Sequence, residues 1–220
     1  MDFFLSKTQL RLKFKAQRES LSLPFKTQSA EKFSQQFFNL FLKKINLSLS
    51  PHTPKNIAVY LPQSGELDLS FLIKNLWDLK QNLYLPLIQN NAQNNSKILK
   101  FGSYTPETLC QANAYFEKFN IQILEPIQPL QTLSLINPAD LDLILLPLLA
   151  FDSQGTRLGM GGGYYDATFS FIKTIKNNSP KKLYLLGCAY EFQQSEILIP
   201  KDPWDLGLNS VLTPENFYIF

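Results

Sequence analysis

Histidine and cysteine are scarce in this chain of 220 residues, which has one histidine and two cysteines. The histidine, His52, lies in a proline-bearing connector, so the chain offers no Ser-His-Asp triad, no Cys-His pair and no histidine-rich metal site. Cys110 and Cys188 lie far apart and form neither a metal-binding nor a redox spacing. Any chemistry must therefore depend on carboxylates, lysine, arginine, backbone amides or a bound cation.

Long apolar runs and a strong charge of one sign are also missing. The longest apolar run, residues 143–151, is shorter than the roughly 18 residues of a membrane-spanning helix and contains a proline, so it predicts a buried strand. The N-terminal basic residues are followed by no apolar stretch, which argues against a secretory signal. A net charge of +3 is too small to indicate nucleic acid. We expect a cytoplasmic monomer that binds neither membranes nor nucleic acids.

Strand-like and helix-like segments alternate along the chain, which is typical of an α/β protein with a mostly parallel sheet. No internal repeat or long linker interrupts the sequence, so we expect one domain over residues 1–220. The predicted helices cover about 6–19, a segment from near Pro24, 67–79 and about 164–176, and the predicted strands cover 56–62, 82–88, 143–151 and 182–190. The Asn-rich segment 89–96 is predicted as a loop.

The first predicted helix carries four basic residues on one face. Ser6 and Gln9 have the spacing of a capping box, which predicts the start of this helix. Spacings of four, four and three residues place the basic side chains together; they are Lys7, Arg11, Lys15 and Arg18. Spacing alone favours a solvated basic face and leaves a functional role open.

Five of the nine glycines lie between Gly155 and Gly163. Glycine allows close approach of another molecule, and free amides at a strand-to-helix turn bind anions. Arg157 adds a planar fork suited to phosphate, and Asp166 can hold magnesium, which reaches phosphates through one or two carboxylates. The stretch matches neither a Walker A loop nor G-x-G-x-x-G. The residues therefore leave two interpretations open, a nucleotide phosphate site and a tight structural turn.

The stretch PLLAFDSQGTRLGMGGGYYDATF, residues 147–169, resembles the signature of the 5-formyltetrahydrofolate cyclo-ligases, also called methenyltetrahydrofolate synthetases. The resemblance extends over nearly the whole chain. The other matching segments are 7–11, 57–69, 118–126, 187–193 and 199–215, each weak alone but found in the family's order.

The resemblance implies an ATP- and Mg²⁺-dependent ring closure of 5-formyltetrahydrofolate to 5,10-methenyltetrahydrofolate, with release of ADP and phosphate. In the family's mechanism the formyl oxygen attacks the γ-phosphate, N10 of the folate attacks the activated carbon, and phosphate leaves. Phosphoryl transfer needs positioning and charge neutralisation more than a protein nucleophile, which suits this composition. The implied fold has three layers, helix on sheet on helix, and is similar to phosphosugar isomerases and CoA transferases.

The resemblance also implies roles for individual residues. Arg157 and Tyr165 would be catalytic, and Asp166 and Asp205 would bind magnesium. ATP would be bound by Lys7, Arg11, Arg157, Leu158, Gly159, Met160, Gly161, Gly162, Gly163, Tyr164 and Tyr165. The folate substrate would be bound by Arg11, Leu61, Glu66, Phe119, Met160 and Tyr164.

Without the resemblance, several of these residues have ordinary structural interpretations: Glu66 is a turn carboxylate, Phe119 a core residue and Asp205 a turn or cap residue. Met160 and Gly162 stand where some relatives carry basic residues, which leaves phosphate neutralisation to Arg157, the basic helix and magnesium. Two other functions are compatible with the sequence, a phosphosugar isomerase-like enzyme and a folate- or nucleotide-binding protein without turnover.

Overall fold

An eight-stranded mixed sheet forms the centre of the structure. The computed structural model describes residues 5–88, 97–108, 110–116, 121–126, 134–173 and 183–220. The helices are α1 (Lys7–Glu19), α2 (Leu23–Gln36), α3 (Leu42–Ile45), α4 (Ser70–Asp78) and α5 (Tyr164–Thr168). The strands are β1 (Asn56–Ala58), β2 (Asn82–Ile88), β3 (Leu99–Ser103), β4 (Cys110–Phe116), β5 (Ile121–Pro126), β6 (Leu135–Ile136), β7 (Leu143–Pro147), β8 (Ala150–Phe151), β9 (Arg157–Leu158), β10 (Tyr184–Cys188), β11 (Ser210–Leu212) and β12 (Phe217–Ile219).

The strand order in the central sheet is β12-β11-β10-β7-β1-β2-β3-β6. The five inner strands, from β11 to β2, pair in parallel. Strands β12, β3 and β6 pair antiparallel at the two edges. The prediction of an α/β protein with a mostly parallel sheet is therefore confirmed. Two small antiparallel pairs, β4 with β5 and β8 with β9, stand apart from this sheet.

Alternation along β7 divides the core between the two faces of the sheet. Leu143 and Leu145 belong to one buried cluster with residues of α2 and α4. Ile144 and Leu146 belong to a second cluster, which contains Phe169 at the end of α5. Since successive side chains of a strand point to opposite faces, helices cover the sheet on both sides.

The starts of the first two helices follow from local sequence. Ser6 and Gln9 form the expected capping box, in which the Ser6 amide donates to Gln9 Oε1 at 2.8 Å and the Gln9 amide donates to Ser6 Oγ at 3.3 Å. Ser22 caps α2, and a proline occupies the first turn, where its missing N–H costs nothing. Helix α2 continues through a π-helical turn, Phe37–Phe41, into α3.

The prediction of one buried strand over residues 143–151 is wrong. Strand β7 ends at Pro147, and the chain then forms β8, which pairs with β9 rather than with the central sheet. Proline provides no N–H to extend the ladder, and the Gln193 side-chain amide binds the carbonyl oxygens of Leu148 and Leu149 at 2.7 and 3.0 Å. The chain therefore leaves the central sheet at the carboxyl end of β7.

Other predicted elements are shorter in the structure. Of the strand predicted over 56–62, only the three residues of β1 form a strand. In place of the helix predicted over about 164–176, the described residues form the five-residue α5 and a 3₁₀ turn, Ser170–Lys173. The end of that predicted helix and the predicted loop 89–96 lie outside the described residues. The helices that the structure describes are too short or too polar to span a membrane.

Candidate active site

A cavity of about 720 Å³ opens where β1 and β7 end. Ligands of open α/β sheets gather beyond the carboxyl ends of strands. The cavity is lined by every described residue to which the sequence assigned a role: Lys7, Arg11, Leu61, Glu66, residues 157–165, Asp166 and Asp205. The structure thus brings together four distant parts of the chain. The remaining predicted residue, Phe119, lies outside the described residues.

The spacing of the basic residues in α1 favoured a solvated face, but the structure does not show one. Lys7, Arg11 and Arg18 all line the cavity. Of the four residues on the predicted basic face, Lys15 alone does not line the cavity, and it pairs with Glu19 at 3.7 Å. The first helix therefore delivers three cations to the candidate site.

Arg18 is the most deeply buried of these cations, with 1% of its surface exposed. Its Nε donates to the carbonyl oxygen of Ser64 at 2.9 Å, and one terminal nitrogen approaches the carbonyl oxygen of Leu148 at 3.4 Å. Its other terminal nitrogen lies 3.8 Å from the sulfur of Met160. Arg18 therefore joins α1 to the loop after β1, to the end of β7 and to the glycine loop.

The loop 63–66 presents Glu66 to the cavity. The Glu66 carboxylate accepts the Gln63 amide at 3.1 Å and lies 3.8 Å from an Arg18 nitrogen. Gly65 sits so close to α1 that an added Cβ would lie 2.9 Å from the carbonyl oxygen of Arg18, and its φ of 76° also favours glycine. The tight turn fixes the direction of the Glu66 side chain.

Burial raises the pKa of Glu66 to about 7, against the opposing effects of the Arg18 charge and the Gln63 amide. Only 12% of the side chain is exposed. A carboxyl group with this pKa changes charge close to neutral pH. Glu66 is thus a titrating acceptor inside the cavity rather than an ordinary surface carboxylate.

The glycine loop runs from Gly159 to Gly163 and needs its glycines for two reasons. Gly161 and Gly163 have φ angles of 96° and 75°, which side-chain-bearing residues rarely adopt. The loop also packs against Arg11, whose Nε donates to the Gly159 carbonyl oxygen at 2.9 Å and whose guanidinium would lie 3.4 Å from a Cβ on Gly161. Because α5 has only five residues, cationic side chains rather than a long helix dipole provide most of the positive charge here.

Arg157 precedes the glycine loop, and 5% of its side chain is exposed. One terminal nitrogen donates to Asp166 Oδ1 at 3.1 Å, and the guanidinium carbon lies 5.7 Å from the centre of the Tyr165 ring. Its buried Nε has no hydrogen-bond partner among the described residues. A buried donor without an acceptor is costly, so the geometry suits an anionic ligand.

Tyr165 contributes a neutral hydroxyl to the same region. Burial raises its pKa above the usual range, as does the nearby Glu66 carboxylate, while Arg157 lowers it. The hydroxyl therefore stays protonated at neutral pH. It can donate a hydrogen bond, but it is a poor base.

Lys7 and Asp205, which the sequence assigned separately to phosphate and magnesium, are in direct contact. Lys7 Nζ lies 2.6 Å from both Asp205 and Asp202. Burial lowers the pKa of Lys7, but these two hydrogen bonds outweigh it and raise the pKa above its usual range. For Asp205 burial has the opposite sign and raises the pKa. The hydrogen bonds from Lys7 and from the Asp202 amide outweigh this effect and bring the pKa of Asp205 below its usual range. Both groups stay charged at neutral pH.

The cavity also contains residues that the sequence interpretation did not assign, among them Arg18, Lys97, Asp202 and Trp204. Arg18 carried a signal, because it continues the buried stripe of Leu10 and Phe14 at intervals of four residues. Lys97 approaches the loop at Gly163, where a Cβ would lie 3.7 Å from its Nζ. No local pattern marks Lys97, since it reaches the site only through the pairing of β2 with β3.

Sequence comparisons with known proteins point to one family. A sequence model of the 5-formyltetrahydrofolate cyclo-ligase family matches residues 5–214. The chain is 31% identical over 204 residues to the 5-formyltetrahydrofolate cyclo-ligase of Haemophilus influenzae, covering 93% of this chain and 95% of the relative. It is 35% identical over 162 residues to that of Escherichia coli K12, covering 74% and 79%.

The fold also matches that of a solved structure. The NMR structure of 5,10-methenyltetrahydrofolate synthetase from Aquifex aeolicus superposes with a TM-score of 0.69 at 29% identity and covers 97% of this chain and 92% of that one. The family match contains every residue that lines the cavity, from Lys7 to Asp205. The chain belongs to the 5-formyltetrahydrofolate cyclo-ligase family.

Proposed function

We propose that this protein is an ATP- and magnesium-dependent enzyme that closes 5-formyltetrahydrofolate to 5,10-methenyltetrahydrofolate, with release of ADP and phosphate. One observation carries the proposal. A single cavity is lined by all described residues that the family resemblance assigned to ATP, folate and magnesium. The names of the relatives at 31% and 35% identity support the same reaction.

The nucleotide phosphates would lie along the glycine loop. Arg157 lines the cavity there, and Arg11 and Lys97 approach the loop at Gly161 and Gly163. These two cations come from outside the loop and offset the lack of basic side chains at positions 160 and 162. Fixed cations in a partly closed site stabilise phosphate charge without reorganisation.

Magnesium fits the donor chemistry of the same end of the cavity. Asp166 and Asp205 offer hard carboxylate oxygens, and the described residues include no cluster of three or more side chains that could hold a metal alone. An ion held through one or two carboxylates and completed by phosphate oxygens matches this arrangement. When bound, the ion would supply further neutralisation of phosphate charge.

The folate would bind at the end of the cavity formed by Leu61, Glu66 and Met160, beside Tyr164 and Arg11. A pterin ring presents a row of N–H donors, and an ionised carboxylate accepts them better than a neutral group. Glu66 is held by the turn at Gly65 and by Arg18, so its oxygens face a ligand without rearrangement.

The chemistry needs positioned charge rather than a protein nucleophile. The formyl oxygen attacks the γ-phosphorus, and ADP leaves with the electrons of the broken P–O bond. N10 of the folate then attacks the activated carbon and loses its proton, and phosphate departs with the former formyl oxygen. Arg157 would stabilise the charge that develops in the first step, and the protonated Tyr165 hydroxyl would be a donor there.

We extend the proposal to a single domain over residues 1–220 that acts as a cytoplasmic monomer on small molecules, without nucleic acid or membrane. The likeness of its fold to phosphosugar isomerases and CoA transferases stays a prediction.

The direct test is a spectrophotometric assay of methenyltetrahydrofolate formation from 5-formyltetrahydrofolate. We expect product only when ATP and magnesium are both present. Turnover of a sugar phosphate without ATP would favour the isomerase alternative. Binding of folate and ATP without product would favour a binding protein, and either result would contradict the proposal.

Arg157→Ala should lower kcat by on the order of 100-fold or more, because it removes a full charge aimed at the transition state. Arg157→Lys should lose activity to a smaller but measurable extent, since lysine keeps the charge but not the planar fork. The measurement is kcat and ATP affinity, determined separately on variants whose folding is checked by circular dichroism.

A matched control for Arg157 is Lys74→Ala, because Lys74 is an exposed cation with a carboxylate partner outside the cavity. It should leave kcat unchanged. A folded Arg157→Ala protein with normal kcat would show that Arg157 has a structural role only.

Glu66→Gln should raise the KM for the folate more than the KM for ATP. With a pKa of about 7, the wild-type carboxyl becomes protonated as the pH falls, and a protonated carboxyl accepts N–H groups poorly. The wild-type KM for the folate should therefore rise between about pH 8 and about pH 6, and Glu66→Gln should remove this dependence. The exposed Glu196→Gln is the control. An unchanged pH dependence in Glu66→Gln would assign the titration to another group.

A further inference from the structure

Trp204 is a large aromatic side chain at the mouth of the cavity. It lines the cavity, yet 66% of its surface is exposed. Unlike the exposed Leu12 and Leu23, Trp204 lies on the wall of the cavity, where a bound ligand can cover its ring. In the sequence Trp204 lies between Asp202 and Asp205, the two aspartates that bind Lys7. It therefore belongs to the same loop as Asp205, the proposed magnesium ligand.

The backbone around Trp204 is anchored on both sides. Lys173 Nζ donates to the carbonyl oxygen of Pro203 at 2.6 Å, and the Asp205 amide donates to the carbonyl oxygen of Asp202 at 3.0 Å. The Leu206 amide donates to Asp166 Oδ1 at 3.0 Å. The indole therefore projects from a fixed turn, and a ligand that covers it does not have to order the loop first.

The loop that carries Trp204 is hydrogen-bonded to a residue of the proposed nucleotide site. Asp166 connects this loop to Arg157, because the Asp166 carboxylate accepts from both Arg157 and the Leu206 amide. The Glu66 carboxylate, at the folate end, contacts Arg18 and Gln63 instead. Through Asp166, the loop of Trp204 is thus linked directly to Arg157.

We propose that Trp204 is a specificity-determining residue that stacks on the purine base of the nucleotide. The inference rests on the proposed ATP-dependent function. Polyphosphate alone is recognised by Arg157, Lys7 and the glycine loop, which do not distinguish a nucleotide from another polyphosphate. An exposed indole adds a π-face that a base can cover, and loss of such stacking weakens binding by about five- to 100-fold in comparable contacts.

Binding of ATP and of inorganic tripolyphosphate to the wild type, Trp204→Ala and Trp204→Phe tests this role by calorimetry. Trp204→Ala should raise the Kd for ATP about fivefold or more while the Kd for tripolyphosphate stays within about twofold. Trp204→Phe should retain most of the affinity for ATP, since it keeps an aromatic face. The control Phe71→Ala removes an exposed aromatic residue of α4 that does not line the cavity and should change neither Kd.

Tryptophan fluorescence gives a second readout, because the chain has only two tryptophans. ATP should change the emission of the wild type but not of Trp204→Phe, in which Trp77 remains. Three results for Trp204→Ala would overturn the inference. They are equal changes in the Kd for ATP and for tripolyphosphate, a rise in the KM for the folate that exceeds the rise in the Kd for ATP, and no change in either Kd.

The two proposals fail separately. If ATP binding depends on Trp204 but no methenyltetrahydrofolate forms, the cyclo-ligase function is wrong and the base contact stands. If product forms and Trp204→Ala binds ATP like the wild type, the base contact is wrong and the cyclo-ligase function stands.

Discussion

The candidate site depends on one buried charge, the guanidinium of Arg18. A side chain with five N–H donors and 1% exposure needs acceptors from whatever surrounds it. Its neighbours are the carbonyl oxygens of Ser64 and Leu148, the sulfur of Met160 and the carboxylate of Glu66. These atoms belong to the loop after β1, the end of β7 and the glycine loop. The requirement to satisfy one guanidinium therefore fixes the relative positions of three segments that would bind the folate and the nucleotide.

Other charges of the cavity are arranged in ion pairs. Arg157 is paired with Asp166 and Lys7 with Asp202 and Asp205. Partly buried ion pairs of this kind add little net stability, because desolvation offsets much of their attraction. If the proposed function holds, these cations and carboxylates are the groups that would meet phosphate and the metal that accompanies it. Such a site pays little reorganisation energy when charge develops in the transition state.

The sequence predicted most of what depends on local chemistry. The capping box at Ser6, strand β2 and the glycine loop between β9 and α5 all follow from patterns within a few residues. The break after Pro147 was missed, because it depends on Gln193, which is distant in sequence and binds the carbonyls there. The inward direction of Arg18 was missed for a related reason: charge spacing placed it with Lys15, whereas burial groups it with Leu10 and Phe14. Lys97 and Trp204 reach the cavity only through sheet pairing and loop anchoring, which no single segment encodes.

The proposed reaction requires that one cavity hold folate and nucleotide together, so that the formyl oxygen becomes bonded to the γ-phosphorus. Isotope transfer can follow this oxygen. With 5-formyltetrahydrofolate labelled with ¹⁸O in the formyl group, ATP and the intact protein, we expect the label in the inorganic phosphate released with each methenyltetrahydrofolate. Product formation with the label found in water, and unlabelled phosphate, would contradict the proposed reaction.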